Sequence, residues 1–245
     1  MKPLKYFILV VLCSACFGCA ATQIALEKKD LKVETKMSNT VFLDIEKITA
    51  KTIYVDFKNT SDKDIEVKSM LENKLRAKGF TVTATPSEAF YIVQGNILYV
   101  GKADPSALRE SLYAGYGGAL GGAVGGAIIG GATGGWPGAG YGAGIGGLAG
   151  AAAELVAGSL VKDVTYTIVT DLMISERSAE SVEQTIQSDL QQGSSSKIIQ
   201  TSNTVADRKR YQTRIVSIAN KVNLDLQEAL QPLIENLTKS VSGIF

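Results

Sequence analysis

The residue type best suited to covalent chemistry in this chain is the cysteine at position 19, which directly follows Gly18 near the amino terminus. Two lysines and an apolar run over residues 6–12 precede it, a pattern typical of a bacterial export signal. In lipoprotein signals a cysteine follows a small residue at the cleavage point, because its thiol is acylated before the peptide bond is cut. The pattern therefore predicts that residues 1–18 are a lipoprotein signal peptide and that Cys19 carries the lipid.

A second cysteine offers a competing cleavage point. Cys16 occupies the position three residues before Cys19, where an aliphatic residue is usual, so cleavage between Ala15 and Cys16 is an alternative. With cleavage at Cys19, the mature chain keeps no free thiol and forms no disulfide. Ala20 follows Cys19, and the absence of aspartate at that position favours sorting to the bacterial outer membrane. Several acyl chains would hold the protein there permanently.

The composition argues against catalysis and against nucleic-acid binding. Histidine is absent from the 245 residues, and the remaining thiol is acylated, so the side chains of most zinc sites and most neutral-pH acid–base machinery are missing. The chain has 25 basic and 24 acidic residues, and two of the basic residues lie in the signal. The mature protein therefore has no basic field that would attract nucleic acid. We expect a protein that is not an enzyme and that uses no cofactor and no metal.

Two further motifs could carry chemistry, and both are weak. Gly142, Gly144 and Gly147 match the spacing of a dinucleotide-binding loop, but no strand precedes them, and chance matches are expected in a stretch so rich in glycine. Glu154 is the first charged residue after residues 111–153. We interpret it as a residue at a membrane interface, with a carboxylate ring lining a pore as the alternative.

Residues 111–153 contain no charged side chain, and glycine recurs among them in pairs. At about 1.5 Å per residue, residues 114–135 and 138–160 are each long enough as helices to cross a hydrocarbon core roughly 30 Å thick. Glycines four residues apart share a helix face and permit close backbone packing. The predicted packing glycines are Gly117, Gly121, Gly125, Gly126, Gly130, Gly142, Gly146 and Gly150.

These features predict a glycine-zipper transmembrane helical hairpin, with a flexible Gly/Ala linker as the alternative. A glycine-heavy helix gains little from lipid insertion alone, so the prediction includes a homo-oligomer in which the glycine faces pack between copies. If both helix ends lie in the periplasm, the turn between the helices faces the outside of the cell. This candidate exposed tip comprises Thr133, Gly134, Gly135, Trp136, Pro137 and Gly138.

The segment before the uncharged stretch predicts half of a folded domain. Residues 19–110 follow a β-β-α-β-β pattern, because runs of alternating apolar residues flank one stretch with apolar residues at helical spacing. Ser61 or Asp62 is the predicted cap of the helix, and Gly79 is its predicted end. The clearest strands are residues 53–57 and 90–100.

The segment after the uncharged stretch predicts the other half. In residues 163–245, strands are expected over residues 164–174 and 211–217, and residues 188–196 are expected to form a polar loop. A helix with a regular leucine stripe ends the chain. The predicted fold is therefore an α+β periplasmic domain formed by two sequence halves, with residues 111–162 inserted as the glycine-zipper transmembrane α-helical hairpin.

Seven short segments together carry a family resemblance. They are Gly18-Cys19 and residues 31–38, 58–64, 108–111, 162–167, 211–217 and 219–224. With them the chain resembles the TraT family of surface-exclusion and serum-resistance lipoproteins carried by conjugative plasmids, over most of the mature sequence.

The resemblance implies an oligomeric outer-membrane lipoprotein without catalytic activity. Such a protein makes its host a poor plasmid recipient by blocking stable mating-pair contact, and it can blunt complement attack. The implied partners are outer-membrane lipid, further copies of the same chain, and a donor pilus, a mating-pair stabilisation component or a recipient outer-membrane protein. A structural role in envelope integrity is the alternative function, and an oligomeric pore that uses Glu154 ranks last.

Overall fold

The computed structural model describes residues 26–44, 51–117, 162–192 and 196–245. Cys19, Glu154 and the greater part of the uncharged stretch, residues 118–161, lie outside these described residues. The elements, in chain order, are β1 (Lys32–Met37), β2 (Thr52–Asn59), α1 (Lys68–Ala77), β3 (Thr81–Val82), β4 (Tyr91–Lys102), α2 (Pro105–Ala114), β5 (Asp163–Gln192), β6 (Ser196–Val222) and α3 (Leu226–Ser242).

All of these strands form one mixed sheet in the order β1-β6-β5-β4-β2-β3. β2 runs parallel to β3 and to β4, and the other neighbours are antiparallel. The strands that precede the uncharged stretch and the two that follow it therefore belong to the same sheet, with β5 beside β4 and β6 beside β1. The β-β-α-β-β order expected for residues 19–110 is confirmed by β1, β2, α1, β3 and β4.

The main core lies on the face of the sheet that α1 and α3 cover. Alternate residues of β2 and β4 point into it, as the period of two in the sequence requires. Complete burial of a leucine or isoleucine side chain contributes about 1.5–3 kcal/mol. Among the fully buried members are Ile53, Leu71, Leu75, Val93, Ile168, Leu172, Ile215, Leu233 and Leu237.

A smaller core lies on the opposite face, beneath α2. Ala107 and Leu108 of the helix pack with Tyr99, Val169 and Val216 of the three central strands, and all five side chains are buried. β5 and β6 consequently carry apolar residues on both faces over this stretch, which is typical of strands at the centre of a sheet.

The start of α1 differs from its prediction. The Ser61 N–H and hydroxyl groups donate to Asn59 Oδ1 at 3.0 and 2.7 Å, which makes a turn at the end of β2. The helix begins at Lys68, and Val67 before it provides no side-chain cap. The predicted cap was wrong because short polar side chains stabilise turns as readily as helix starts. Gly79, with φ of +86°, does follow the end of the helix as expected.

β5 and β6 form a hairpin that continues far beyond the sheet. β4 pairs with β5 as far as Glu176 and β1 pairs with β6 as far as Ile215, whereas β5 and β6 pair with each other as far as Gln192 and Ser196. At about 3.4 Å per residue, the part beyond Glu176 extends roughly 50 Å. The predicted polar loop over residues 188–196 was too long, because backbone pairing does not require apolar side chains.

The predicted fold class was wrong. The described residues form a mostly β structure, and none of the helices among them is long and apolar enough to cross a membrane. The first transmembrane helix was expected to begin at residue 114, but α2 ends there, and Gly115 and Gly117 have φ of +67° and +68°. Glycine reaches this left-handed region without strain, so the chain turns back to the sheet instead of extending the helix.

The structure therefore does not support an α+β domain with an inserted glycine-zipper hairpin. Gly117, expected on a packed helix face, lies in a turn. The other predicted packing glycines, from Gly121 to Gly150, and the candidate tip at residues 133–138 lie outside the described residues.

Replacement of Gly95 by alanine is expected to lower the free energy of unfolding by about 1–3 kcal/mol. Gly95 lies opposite Phe57 in the β2–β4 register, and an added Cβ would lie 2.3 Å from Phe57 Cε1. Thermal unfolding followed by circular dichroism in a mild detergent measures the change. In a Phe57→Ala background the same substitution should lose most of its effect, and an equal effect in both backgrounds would contradict the steric explanation.

Candidate functional site at the base of the glycine-rich segment

The glycine-rich segment, which contains the uncharged residues 111–153, leaves the sheet at a fixed point. The Gly117 N–H donates a hydrogen bond of 2.9 Å to Asp171 Oδ2 on β5. A Cβ atom at Gly115 or Gly117 would meet no atom within 4 Å. Glycine is therefore required at these positions by the positive φ angle and not by lack of space.

Asp171 is held in turn by a buried arginine. Asp171 and Arg214 are cross-strand partners in the β5–β6 register. Arg214 Nε donates to Asp171 Oδ1 at 2.6 Å and Arg214 Nη2 donates to Oδ2 at 3.0 Å, which is the two-pronged arrangement that a guanidinium and a carboxylate favour. The Arg214 side chain is 1% exposed and that of Asp171 is 10% exposed.

The same guanidinium fixes the end of α2. Arg214 Nη1 donates to the Ser111 carbonyl oxygen at 3.3 Å. One ion pair therefore joins β5, β6, the last turn of α2 and the first residues of the glycine-rich segment. Burial raises the pKa of Tyr116, and the nearby Asp171 charge raises it further.

The segment returns to the sheet at a second fixed point. The Lys162 N–H donates to Asn223 Oδ1 at 3.0 Å, and the Asn223 N–H donates to the Lys162 carbonyl oxygen at 2.7 Å. Asn223 has φ of +53°, a conformation that asparagine adopts more readily than most residues. Next to it, Asp163 accepts from Asn220 Nδ2 at 2.7 Å and pairs with the Lys28 ammonium group.

The two fixed points lie well apart. Asp171 and Asp163 are eight positions apart on β5, which corresponds to roughly 27 Å at about 3.4 Å per residue. Neighbouring packed helices lie only about 8–10 Å apart. The two described ends of the segment are therefore too far apart to be the adjacent ends of a helical hairpin.

Most segments that carry the family resemblance converge around this base. Residues 31–38 include β1, which pairs with β6 between Lys32↔Asn220 and Met37↔Ile215. In the segment 162–167, residues 163–167 begin β5 and pair with residues 218–222 of β6. Leu108 of α2 packs on the same face of these strands. Segments that are distant in sequence thus form one continuous surface beside Asn220.

A second polar cluster lies where the β5–β6 hairpin leaves the sheet. Glu176 is 2% exposed, and its Oε2 accepts a hydrogen bond of 3.0 Å from the Tyr211 hydroxyl. Tyr91 is the register partner of Glu176 and is fully buried. Burial, followed by the nearby Glu176 carboxylate, raises the pKa of Tyr91 to about 12. Burial and the hydrogen bond to Glu176 raise the pKa of Tyr211 to about 12.

Two arginines beside this cluster hold the turn before β4. Arg208 donates to the Phe90 and Ala89 carbonyl oxygens at 3.0 and 2.8 Å, and Arg177 donates to the Ser87 carbonyl oxygen. The two are register partners. Burial and then the Arg177 charge lower the pKa of Arg208. The root of the hairpin is thereby fixed to the sheet.

Sequence reasoning missed these charged residues. Asp171 interrupts the apolar residues of a predicted strand, and a charge at such a position is a signal of a buried partner, but its partner is 43 residues away.

The described part of the chain holds no group of three or more His, Cys, Asp or Glu side chains that could bind a metal ion. In the described residues, the buried charged side chains hold segments of the chain in place.

Arg214→Met is expected to lower the free energy of unfolding by about 3–5 kcal/mol, because it leaves the Asp171 carboxylate buried without its partner. The double variant Asp171→Leu/Arg214→Met should recover a large part of that loss. Glu72→Gln, which breaks the exposed pair with Arg76, is the control and should cost less than about 1 kcal/mol. Chemical unfolding measures all three, and equal losses at the buried and exposed pairs would contradict the assignment.

Alkaline pH is expected to destabilise the fold between about pH 10 and pH 12. Tyrosine in the unfolded chain ionises near pH 10, whereas Tyr91 and Tyr211 stay protonated in the fold to about pH 12. The protonated tyrosines therefore stabilise the fold fully below pH 10, and this contribution is lost as the pH rises to 12. For Tyr91 the loss is on the order of 2 kcal/mol. Unfolding free energies across this range should fall less steeply in Tyr91→Phe than in a Tyr113→Phe control, whose ring is 85% exposed. Identical slopes would show that Tyr91 is not the group responsible.

Comparison with known proteins places the chain in a family. A family model described as "Enterobacterial TraT complement resistance protein" matches residues 30–245. A TraT complement resistance protein from Escherichia coli is 42% identical over 228 residues, which cover 93% of this chain and 91% of the relative. One from Escherichia coli strain K12 is 40% identical over 250 residues, covering all of this chain and 99% of the relative.

A more distant relative, the TraT complement resistance protein of Wigglesworthia glossinidia brevipalpis, is 26% identical over 247 residues and covers 100% of this chain and 98% of the relative. The resemblance inferred from the short sequence segments is confirmed by these matches. The family is described by complement resistance and not by a catalytic activity. The chain belongs to the TraT complement resistance family.

Proposed function

We propose that this chain is a lipid-anchored protein of the bacterial outer membrane that protects its host from complement and lowers conjugative transfer into that host. The observation that carries the proposal is the identity of about 40% over the whole chain with relatives named as complement resistance proteins. Because the matches run from end to end, they include the regions on both sides of the glycine-rich segment.

The lipid anchor is supported by the sequence around Gly18 and Cys19. The described chain begins only seven residues after Cys19, at Leu26, so an acyl group at Cys19 would hold the folded sheet close to a membrane surface. The surface-exclusion part of the proposal is supported by the resemblance that the short segments carry. The described geometry is compatible with a non-catalytic role, because its buried charges hold chain segments in place.

The test compares hosts that carry the wild-type gene, Cys19→Ala, Cys16→Ala or an empty vector. Survival in active and heat-inactivated serum measures complement resistance, and the frequency of transfer from donors with a panel of conjugative plasmids measures exclusion. Wild type is expected to raise survival and to lower transfer of one plasmid group, each by an order of magnitude or more. Cys19→Ala should behave as the empty vector, because loss of the acylated thiol removes the anchor.

Cys16→Ala is the matched control, because Cys16 leaves with the signal peptide when cleavage occurs before Cys19. It should behave as wild type, and a loss of function there instead would favour the alternative cleavage point. Membrane fractionation and immunoblotting must show equal amounts of protein. If the wild-type protein is present in the outer membrane and changes neither serum survival nor transfer, the proposal is wrong, and detergent sensitivity on deletion would then favour a role in envelope integrity.

A further inference from the structure

A groove of about 620 Å³ lies on the face of the sheet that α2 covers, between α2, β1 and the neighbouring ends of β5 and β6. Its volume lies within the range of about 300–1,000 Å³ that is usual for small-molecule sites. Leu108, Leu112 and Ile218 provide an apolar floor, and the last two are only partly covered by the protein. A partly covered apolar floor is suited to a hydrocarbon chain.

The rim of the groove is mainly basic. Lys28, Lys32, Lys36 and Arg109 line it, against Glu34 and Asp163. Two of the four basic groups are already neutralised, since Lys28 pairs with Asp163 and Lys36 Nζ lies 3.1 Å from Glu34 Oε1.

The other two basic groups remain available. Lys32 and Arg109 are exposed, and within the described residues neither of them lies within 4 Å of a carboxylate. An ammonium and a guanidinium group above an apolar floor complement a ligand that has a phosphate at one end and a hydrocarbon chain at the other.

The chain also limits how far this groove can lie from a membrane. Lys28, on the rim, is nine residues after Cys19. Even a fully extended chain spans at most about 3.6 Å per residue, so the rim lies within about 32 Å of a lipid attached to Cys19. This step rests on the lipid anchor of the proposed function, and it makes membrane phospholipid the nearest abundant source of such a ligand.

We propose that the groove binds one anionic phospholipid, with its phosphate between Lys32 and Arg109 and an acyl chain along Leu108, Leu112 and Ile218. Inorganic phosphate alone would leave the apolar floor unused, and a zwitterionic lipid would place its own cation among the basic side chains of the rim. The bound lipid would cover the apolar floor beside the two points where the glycine-rich segment meets the sheet.

The test uses the purified full chain in a mild non-ionic detergent with a phosphatidylglycerol that carries a photoreactive diazirine in its acyl chain. After irradiation, mass spectrometry of peptides is expected to place adducts at Leu108, Leu112 or Ile218. Unlabelled phosphatidylglycerol should compete for labelling, whereas phosphatidylcholine and inorganic phosphate should not. Adducts spread over other parts of the chain, or equal competition by phosphatidylcholine, would overturn the proposal.

Charge reversal identifies the headgroup site. Lys32→Glu/Arg109→Glu should reduce groove labelling by an order of magnitude, while Lys58→Glu/Lys68→Glu, an equal charge change on exposed lysines of β2 and α1, should leave it unchanged. If the first variant fails to fold, Lys32→Gln/Arg109→Gln replaces it. Wild-type labelling in a folded groove variant would overturn the proposal.

The same spectra show whether the amino-terminal peptide carries acyl groups at Cys19. Acylated protein without groove labelling would overturn the lipid site and leave the proposed anchor intact. Groove labelling in protein without acylation would overturn the anchor and leave the site in place, since the probe in this experiment is supplied in solution.

Discussion

The buried ion pair between Asp171 and Arg214 is the interaction on which the arrangement around the glycine-rich segment depends. Its two partners lie on the central strands β5 and β6, and each is almost inaccessible to solvent. Removal of two charges from water is costly, and here the cost is offset by two direct hydrogen bonds between the groups and by further hydrogen bonds to Ser111 and Gly117. The pair therefore specifies where α2 ends and where the segment leaves the sheet.

The sheet joins the two parts of the chain that the segment separates. β4 precedes the segment and β5 follows it, yet the two are paired over eleven register positions from Tyr91↔Glu176 to Lys102↔Tyr166. Both ends of the segment are thus held on one sheet, one at Asp171 and the other beside Asn223. With the lipid anchor that we propose, a platform of this kind suits a protein of the cell envelope that acts by position and contact.

The carboxylates of the two polar clusters differ in how completely they are hydrogen-bonded. Both oxygens of Asp171 accept hydrogen bonds, whereas Glu176 Oε1 and the Tyr91 hydroxyl are buried without a hydrogen bond of good geometry. An unsatisfied buried polar group costs about 1–3 kcal/mol. The Asp171 carboxylate is therefore better satisfied than the Glu176 carboxylate, and the root of the β5–β6 hairpin combines incomplete hydrogen bonding with the like charges of Arg177 and Arg208.

Local patterns determined much of the framework. The alternation in residues 53–57 and 90–100 placed β2 and β4, Gly79 marked the end of α1, and short segments such as residues 31–38 were specific enough to identify the family. These features depend on neighbours in sequence, because side-chain periodicity and the conformational freedom of glycine act over a few residues. The same kind of reasoning failed at residues 114–117, where it predicted a helix that continues and the chain turns instead, since an uncharged, glycine-rich composition is compatible with both.

Tertiary structure alone decided which distant residues meet. By itself the sequence determined the family, the positions of the principal strands and the absence of histidine chemistry. It could not determine that Asp171 pairs with Arg214, that Gly117 turns back to that carboxylate, or that Lys32 and Arg109 border one groove. Those relations are set by the strand order and by the register of β1, β5 and β6, which arise when segments far apart in sequence bury their apolar faces together.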